Sequence, residues 1–158
     1  MSPPVPPSTE ILALGNAIVD VLSHVDDTVI DGLPVNKGAM TLIGAVEAQQ
    51  MYSVLGAGVE CSGGSAANTV VGAAMLGART AFVGRVKDDQ LGSIFAHDIR
   101  AAGVRFDTAA ATEGPDTAVC LVMVTPDAHR TMCTHLGASI ELGPDDVDEA
   151  LVRDSAVL

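Results

Sequence analysis

Between Cys61 and Ala78 the chain reads CSGGSAANTVVGAAMLGA: two adjacent glycines, then a run of small and aliphatic side chains interrupted by Asn68. The pattern predicts a helix from about Gly64 to Leu76, stopped by Gly77. Ala66, Ala67, Ala73 and Ala74 let such a helix approach its neighbour closely, and a sheet is the partner that fits. A tightly packed helix accounts for the alanines. It does not require two consecutive glycines, nor a polar Asn68 in the first turn. Both are accounted for if a ligand comes to the helix N-terminus, where glycines leave the backbone amides accessible and the asparagine offers a donor and an acceptor. Taken alone, the stretch supports the two readings equally.

Around this helix the pattern alternates between strand and helix. Ile11–Leu14 reads as a buried strand, broken at Gly15-Asn16. A second extended piece follows, with Ile18, Asp20, Leu22 and His24 on one face and Val19, Val21, Ser23 and Val25 on the other. DDTVIDGL predicts a short helical turn, KGAMTLI a strand, and GAVEAQQMYSVLG a helix ended by Gly56. RTAFVGRV reads as a strand, DDQLGSIFAHDIRAAG as an amphipathic helix carrying Leu91, Ile94, Phe95 and Ile99 on one face, and VRFDTA as a short strand. TAVCLVMV and RTMCTHLG flank a Thr125-Pro126-Asp127 turn and predict a hairpin. GPDDVDEALV predicts a helix with Pro144 in its first turn, and SAVL another buried strand. The alternation implies an α/β core. The hairpin and the strands near 18–25 and 37–43 fit it poorly and are expected to form a separate small sheet.

About half of the 158 residues are apolar, enough for one domain with a core. A formal net charge of -12 argues against general affinity for nucleic acid or an anionic membrane. No apolar run reaches membrane-spanning length. Residues 1–10, with four prolines in the first seven and no basic residue, read as a flexible tail rather than a secretory signal, and the expected location is cytoplasmic. Cys61, Cys120 and Cys133 are odd in number and widely spaced, which favours small buried hydrophobes over a disulfide or zinc site. The four histidines show no metal-binding spacing, so no metal site is expected.

Two phosphate-binding patterns fail. Gly58 to Gly63 has the glycine spacing of a phosphate loop, but Gly64 occupies the lysine position and Glu60 adds repulsion. Gly56-Ala-Gly58 lacks the third glycine of a dinucleotide fold, because Cys61 stands there. A second anchor is more informative. In GNAIVD, Asn16 follows a glycine at a strand end and Asp20 interrupts an apolar stretch. A carboxylate so placed needs partners. It is either a solvated strand residue or an acceptor for paired hydroxyls, as on a sugar.

GNAIVD, then GGSAANTVVGAAMLGARTAFVGRVKDDQLG, then TAVCLVMVTPDAHRTMCTHLGAS resemble, in order and spacing, the PfkB/ribokinase-type carbohydrate kinases, from about Ile11 to Leu158. The middle block is the most specific, with Gly84, Asp88 or Asp89, and Gly92 continuing the rhythm after the double glycine. Asn16 directly after Gly15, Asp20, and RTMCTHLGAS resemble the adenosine kinase branch more than the ribokinase branch. The resemblance implies a ribokinase-like three-layer α/β/α core with a small β-sheet lid, incomplete in this chain, with lid strands near 18–43 and 117–136. It implies an ATP-dependent phosphotransferase acting on a sugar hydroxyl of a sugar or nucleoside. Asp20 would accept hydrogen bonds from sugar hydroxyls, Gly63 and Gly64 would lie beside the sugar as a hinge for the lid, Asn68 would bond a hydroxyl, and Asn16 would approach the sugar–base junction. Met40, Cys120, Met132 and Leu136 would line the pocket. Members of the family are longer, and their second half carries a G-A-G-D segment with the general base, and the nucleotide and Mg2+ site. No G-A-G-D occurs here. The chain is therefore expected to hold no catalytic base, to bind ATP and Mg2+ poorly by itself, to be inactive alone, and to self-associate through an exposed sheet edge or pair with a separate C-terminal half. The alternative is a non-catalytic sugar- or nucleoside-binding half or a truncated, inactive kinase. Ala128 stands where relatives often carry glycine at the hairpin turn.

Overall fold

The computed structural model describes residues 7–55 and 58–158. In chain order the elements are β1 Thr9–Leu14, β2 Ile18–His24, α1 Asp27–Asp31, β3 Met40–Leu42, α2 Ala45–Val54, β4 Val59–Gly63, α3 Ser65–Met75, β5 Thr80–Val83, α4 Gln90–Ala101, β6 Ala118–Val124, β7 Arg130–His135, α5 Glu149–Arg153 and β8 Ser155–Val157. They build two sheets. The first is parallel, in the order β5-β1-β8. The second is mixed, in the order β3-β7-β6-β2-β4.

β1 and β5 are covered on both faces, which is why they read as apolar runs, whereas β8, expected from SAVL to be buried, lies at the sheet edge with Val157 exposed. Ile11, Ala13 and Phe82 pack toward α3 and α4, while Leu12, Ala81 and Val83 pack against Leu151 of α5. Helix–sheet–helix is the three-layer arrangement of the ribokinase-like fold. The chain's three phenylalanines meet in one cluster: the Phe95 ring lies 5.8 Å from Phe82 and 5.3 Å from Phe106. That cluster fastens α4 to the edge of β5. The second sheet is covered on one face only. Val19, Val21, Val119, Leu121 and Cys133 join the same core as Ala48, Phe95 and Ile99 of α2 and α4. The opposite face leaves Leu22, Met40, Leu42 and Val59 exposed.

Several expectations need correction. Thr9 and Glu10, expected to lie in an N-terminal tail, belong to β1, and Thr9 is buried. Gly56, expected to end α2, lies outside the described residues. VRFDTA is not a strand. It adds one parallel bridge, Ala81 to Arg105, through Arg105 N–H to the Thr80 carbonyl and Phe82 N–H to the Arg105 carbonyl. GPDDVDEALV is broken into a 3-10 turn at Pro144–Asp146 and α5, because Val147 is extended and Asp148 caps a new helix at Ala150 N–H. Residues 59–63, to which the sequence pattern assigns no element, are a strand, β4. Leu136 leaves β7 and starts a 3-10 turn at Gly137–Glu141. No helix among the described residues is long and apolar enough to cross a membrane.

Candidate active site

Asp20 sits in the middle of β2. Its neighbours in register are Cys61 on β4 and Cys120 on β6, and the row continues through Thr134 on β7 to Leu42 on β3. One row away lie Gly63 and Ala118, opposite Ile18. On the other side Leu22, Val122, Met132 and Met40 form a parallel row. Because side chains alternate across a sheet, these rows share the face that α2 and α4 leave uncovered. Asp20, Gly63, Cys120, Met132 and Met40 are thus brought onto one surface. Leu136 stands at the end of β7, half-buried, outside the regular alternation.

The double glycine joins this surface to the core. Gly63 is fully enclosed, and the Asp20 carboxylate lies so close over its Cα that any side chain there would overlap it. Gly64 has φ of 100°, a left-handed conformation that L side chains rarely adopt, and a Cβ on it would stand 2.5 Å from the Asn16 carbonyl oxygen. Asn16, in the link between β1 and β2, therefore faces Gly64 through its backbone, and its side chain is exposed. Gly64 is also the N-cap of α3 and offers no side chain to the first amides of the helix, so those donors face outward. Asn68 ends that first turn, its own N–H bonded to Gly64 at 2.8 Å and its side chain exposed.

Among the described residues nothing donates a hydrogen bond to the Asp20 carboxylate. Burial alone pushes its pKa above the ordinary aspartate range. Its backbone carbonyl faces the Cys61 thiol at 3.9 Å. Burial likewise raises the Cys61 and Cys120 thiols, with the Asp20 charge adding to both, while Thr134 Oγ1 bonds Cys120 Sγ at 3.3 Å. The result is an open two-oxygen acceptor in a mostly apolar setting, beside a turn with no side chains. Such an arrangement suits a ligand carrying adjacent hydroxyl groups. Among the described residues no group of three or more His, Cys, Asp or Glu is placed to hold a metal ion.

Sequence reasoning left Asp88 and Asp89 as alternatives, and the structure chooses Asp89. Its carboxylate caps α4 at Gly92 N–H, 2.7 Å away, and also accepts from Thr117 N–H at 2.9 Å and Thr117 Oγ1 at 2.7 Å. The glycine three residues later has a matching cause, since a side chain on Gly92 would collide with the Lys87 carbonyl. Asp98 was missed. It accepts from Ser62 N–H at 2.6 Å, and no local pattern marks it, because it is one polar residue on an amphipathic helix.

Residues 37–158 match the pfkB family carbohydrate kinase profile, and the chain belongs to that family. Among solved structures it is similar to the adenosine kinase of Sinorhizobium meliloti, at 49% identity and a TM-score of 0.85 over 94% of this chain and 45% of that one. It is also similar to a probable sugar kinase from Rhizobium etli CFN 42, at 46% identity and a TM-score of 0.86 with the same coverage. Over 101 residues it is 30% identical to a fructokinase of Solanum tuberosum, a match covering 63% of this chain and 32% of the relative. The chain thus spans a third to a half of the length of these proteins.

Proposed function

We propose that this chain is the acceptor-binding side of an adenosine kinase-like phosphotransferase, holding a nucleoside by its ribose hydroxyls in the cytoplasm. The observation that carries this is the Asp20 carboxylate: half-buried, unpartnered, and lying over a glycine at the mouth of a helix. A carboxylate there accepts hydrogen bonds from two hydroxyl groups at once, and charge-assisted bonds of this kind are the stronger class. Asn68 and the outward amides of α3 add donors and an acceptor at the same place. Met40, Cys120, Met132 and Leu136 offer apolar surface for a base, with the second sheet acting as a lid. The 49% identity to an adenosine kinase favours a nucleoside over a plain sugar.

Phosphoryl transfer depends on positioning and on electrostatic stabilisation of the moving phosphoryl group. In the family, bound ATP would supply that group and Mg2+ would offset its charge. No lysine stands in the glycine turn, and among the described residues no group of three or more His, Cys, Asp or Glu is placed for a metal ion. In this reading the chain binds and orients the acceptor, and a further segment or a second polypeptide supplies the general base and the donor site. The outer edge of β8, with Val157 and Leu158 exposed, is where such a partner or a second copy would pair.

The test is an NMR titration of the 158-residue chain with adenosine, ribose and fructose. Adenosine should shift the amides of Asn16, Asp20, Gly63, Gly64 and Asn68 first. Asp20→Ala should weaken binding by roughly 2–3 kcal/mol, about 30- to 150-fold. Equal binding by Asp20→Ala, or shifts confined to other residues, overturns the assignment. A preference for fructose would move the acceptor from nucleoside to sugar.

A further inference from the structure

We propose that Asp98 is a positioning residue of the acceptor site, tethering the double glycine so that Gly63 stays beneath the Asp20 carboxylate. The inference rests on the acceptor reading above and adds to it the part that holds the site in shape. β4 lies at the edge of its sheet, paired with β2 alone. Edge strands expose unpaired amides and have little to hold them in place. At Ser62, one residue before Gly63, the outward amide is not left to solvent. It donates to Asp98 Oδ2 at 2.6 Å, a charge-assisted bond from a helix of the core.

Asp98 is itself held firmly. It lies on α4 beside Ile99, and both Ile99 and Phe95 are fully buried in the main core. The same helix is fixed at its N-terminus by Asp89, which binds both the amide and the hydroxyl of Thr117, the residue leading into β6. In the order β6-β2-β4, Asp20's strand lies between those two attachments. α4 therefore grips the strands on either side of β2, one through Asp89 and one through Asp98. The consequence follows from the close contacts. Gly63 lies directly against the Asp20 carboxylate and Gly64 against the Asn16 carbonyl, so closely that a Cβ on either would overlap its neighbour. If β4 lifts, the carboxylate loses its floor and the entrance to α3 turns with it.

The experiment compares Asp98→Ala with Asp98→Asn in the 158-residue chain. Hydrogen exchange is followed by NMR at Ser62, Gly63 and Gly64, with β1 and β5 amides as internal controls, and adenosine affinity is measured on the same samples. Asp98→Ala should speed exchange at Ser62–Gly64 by roughly tenfold or more while the controls hold, and weaken adenosine by roughly tenfold. Asp98→Asn keeps an acceptor oxygen and should restore both to within about threefold of wild type. Unchanged exchange at these amides overturns the tether. Faster exchange with intact adenosine affinity overturns its role at the site. Asp98→Ser replaces the alanine variant if that one does not fold. A wild-type chain that binds neither adenosine nor ribose refutes the acceptor reading itself, and the exchange data then still decide whether Asp98 tethers β4.

Discussion

The two sheets are made of similar residues and treat them differently. In the parallel sheet every residue of β5 is buried, and helices close both faces. In the mixed sheet one face belongs to the same core, while the other carries a half-buried aspartate, two thiols and exposed Leu22, Met40 and Leu42. The first sheet is a packing solution, the second a packing solution on one side and a binding surface on the other. Glycines show the same division. Gly92 is bare because backbone stands against it, whereas Gly63 is bare because a carboxylate does.

That contrast can be tested directly. Gly92→Ala forces the Lys87 carbonyl to move and should cost about 3 kcal/mol of stability, visible in chemical denaturation. Gly63→Ala displaces a side chain that can swing away. It should cost under about 1 kcal/mol of stability while weakening adenosine at least tenfold. Equal losses of stability in the two variants would erase the distinction between a glycine held by backbone and one held by a carboxylate.

Asp20→Asn probes the binding surface alone. Burial disfavours the charged carboxylate, so Asp20 contributes stability at low pH that is lost as pH rises through its raised folded-state value. Removing the charge should therefore stabilise the chain at neutral pH, by under about 1 kcal/mol because solvent still reaches the group. The gain should vanish below the ordinary aspartate range, and acceptor binding should be lost throughout. A variant less stable than wild type at pH 7 would mean that the carboxylate has a partner in the fold. The smallest effect is expected at the hairpin tip. Ala128 has φ of 64°, a conformation costly for a side chain, and Ala128→Gly should stabilise by roughly 0.5 kcal/mol without touching binding.

Much of this was legible in the chain itself. Asp20 stood out as a charge in an apolar strand, and the alternation around it placed it correctly opposite Val19 and Val21. The hairpin, α3 and α4 were marked by turn residues and helical period. β4 was not, because Val-Glu-Cys-Ser-Gly has one strong strand former and a terminal glycine, too little pattern to compete with the glycine-rich neighbourhood. The break at Val147 was hidden because Pro144 and Asp148 are both good helix starts, and either could cap one continuous helix.

The sequence by itself determined which segments are apolar runs, which alternate, and where most of the turns fall, since each depends on a few neighbouring residues; that SAVL is an exposed edge rather than a buried strand it did not. Only the tertiary structure decided that Asp20 lies over Gly63, that Gly64 meets Asn16, that Asp89 rather than Asp88 ties α4 to β6, and that Asp98 reaches β4. The physical reason is that strand order and register are set by pairing between distant segments. A period-two pattern reads the same whichever strand lies beside it, so the contacts across strands exist only once the sheet is assembled.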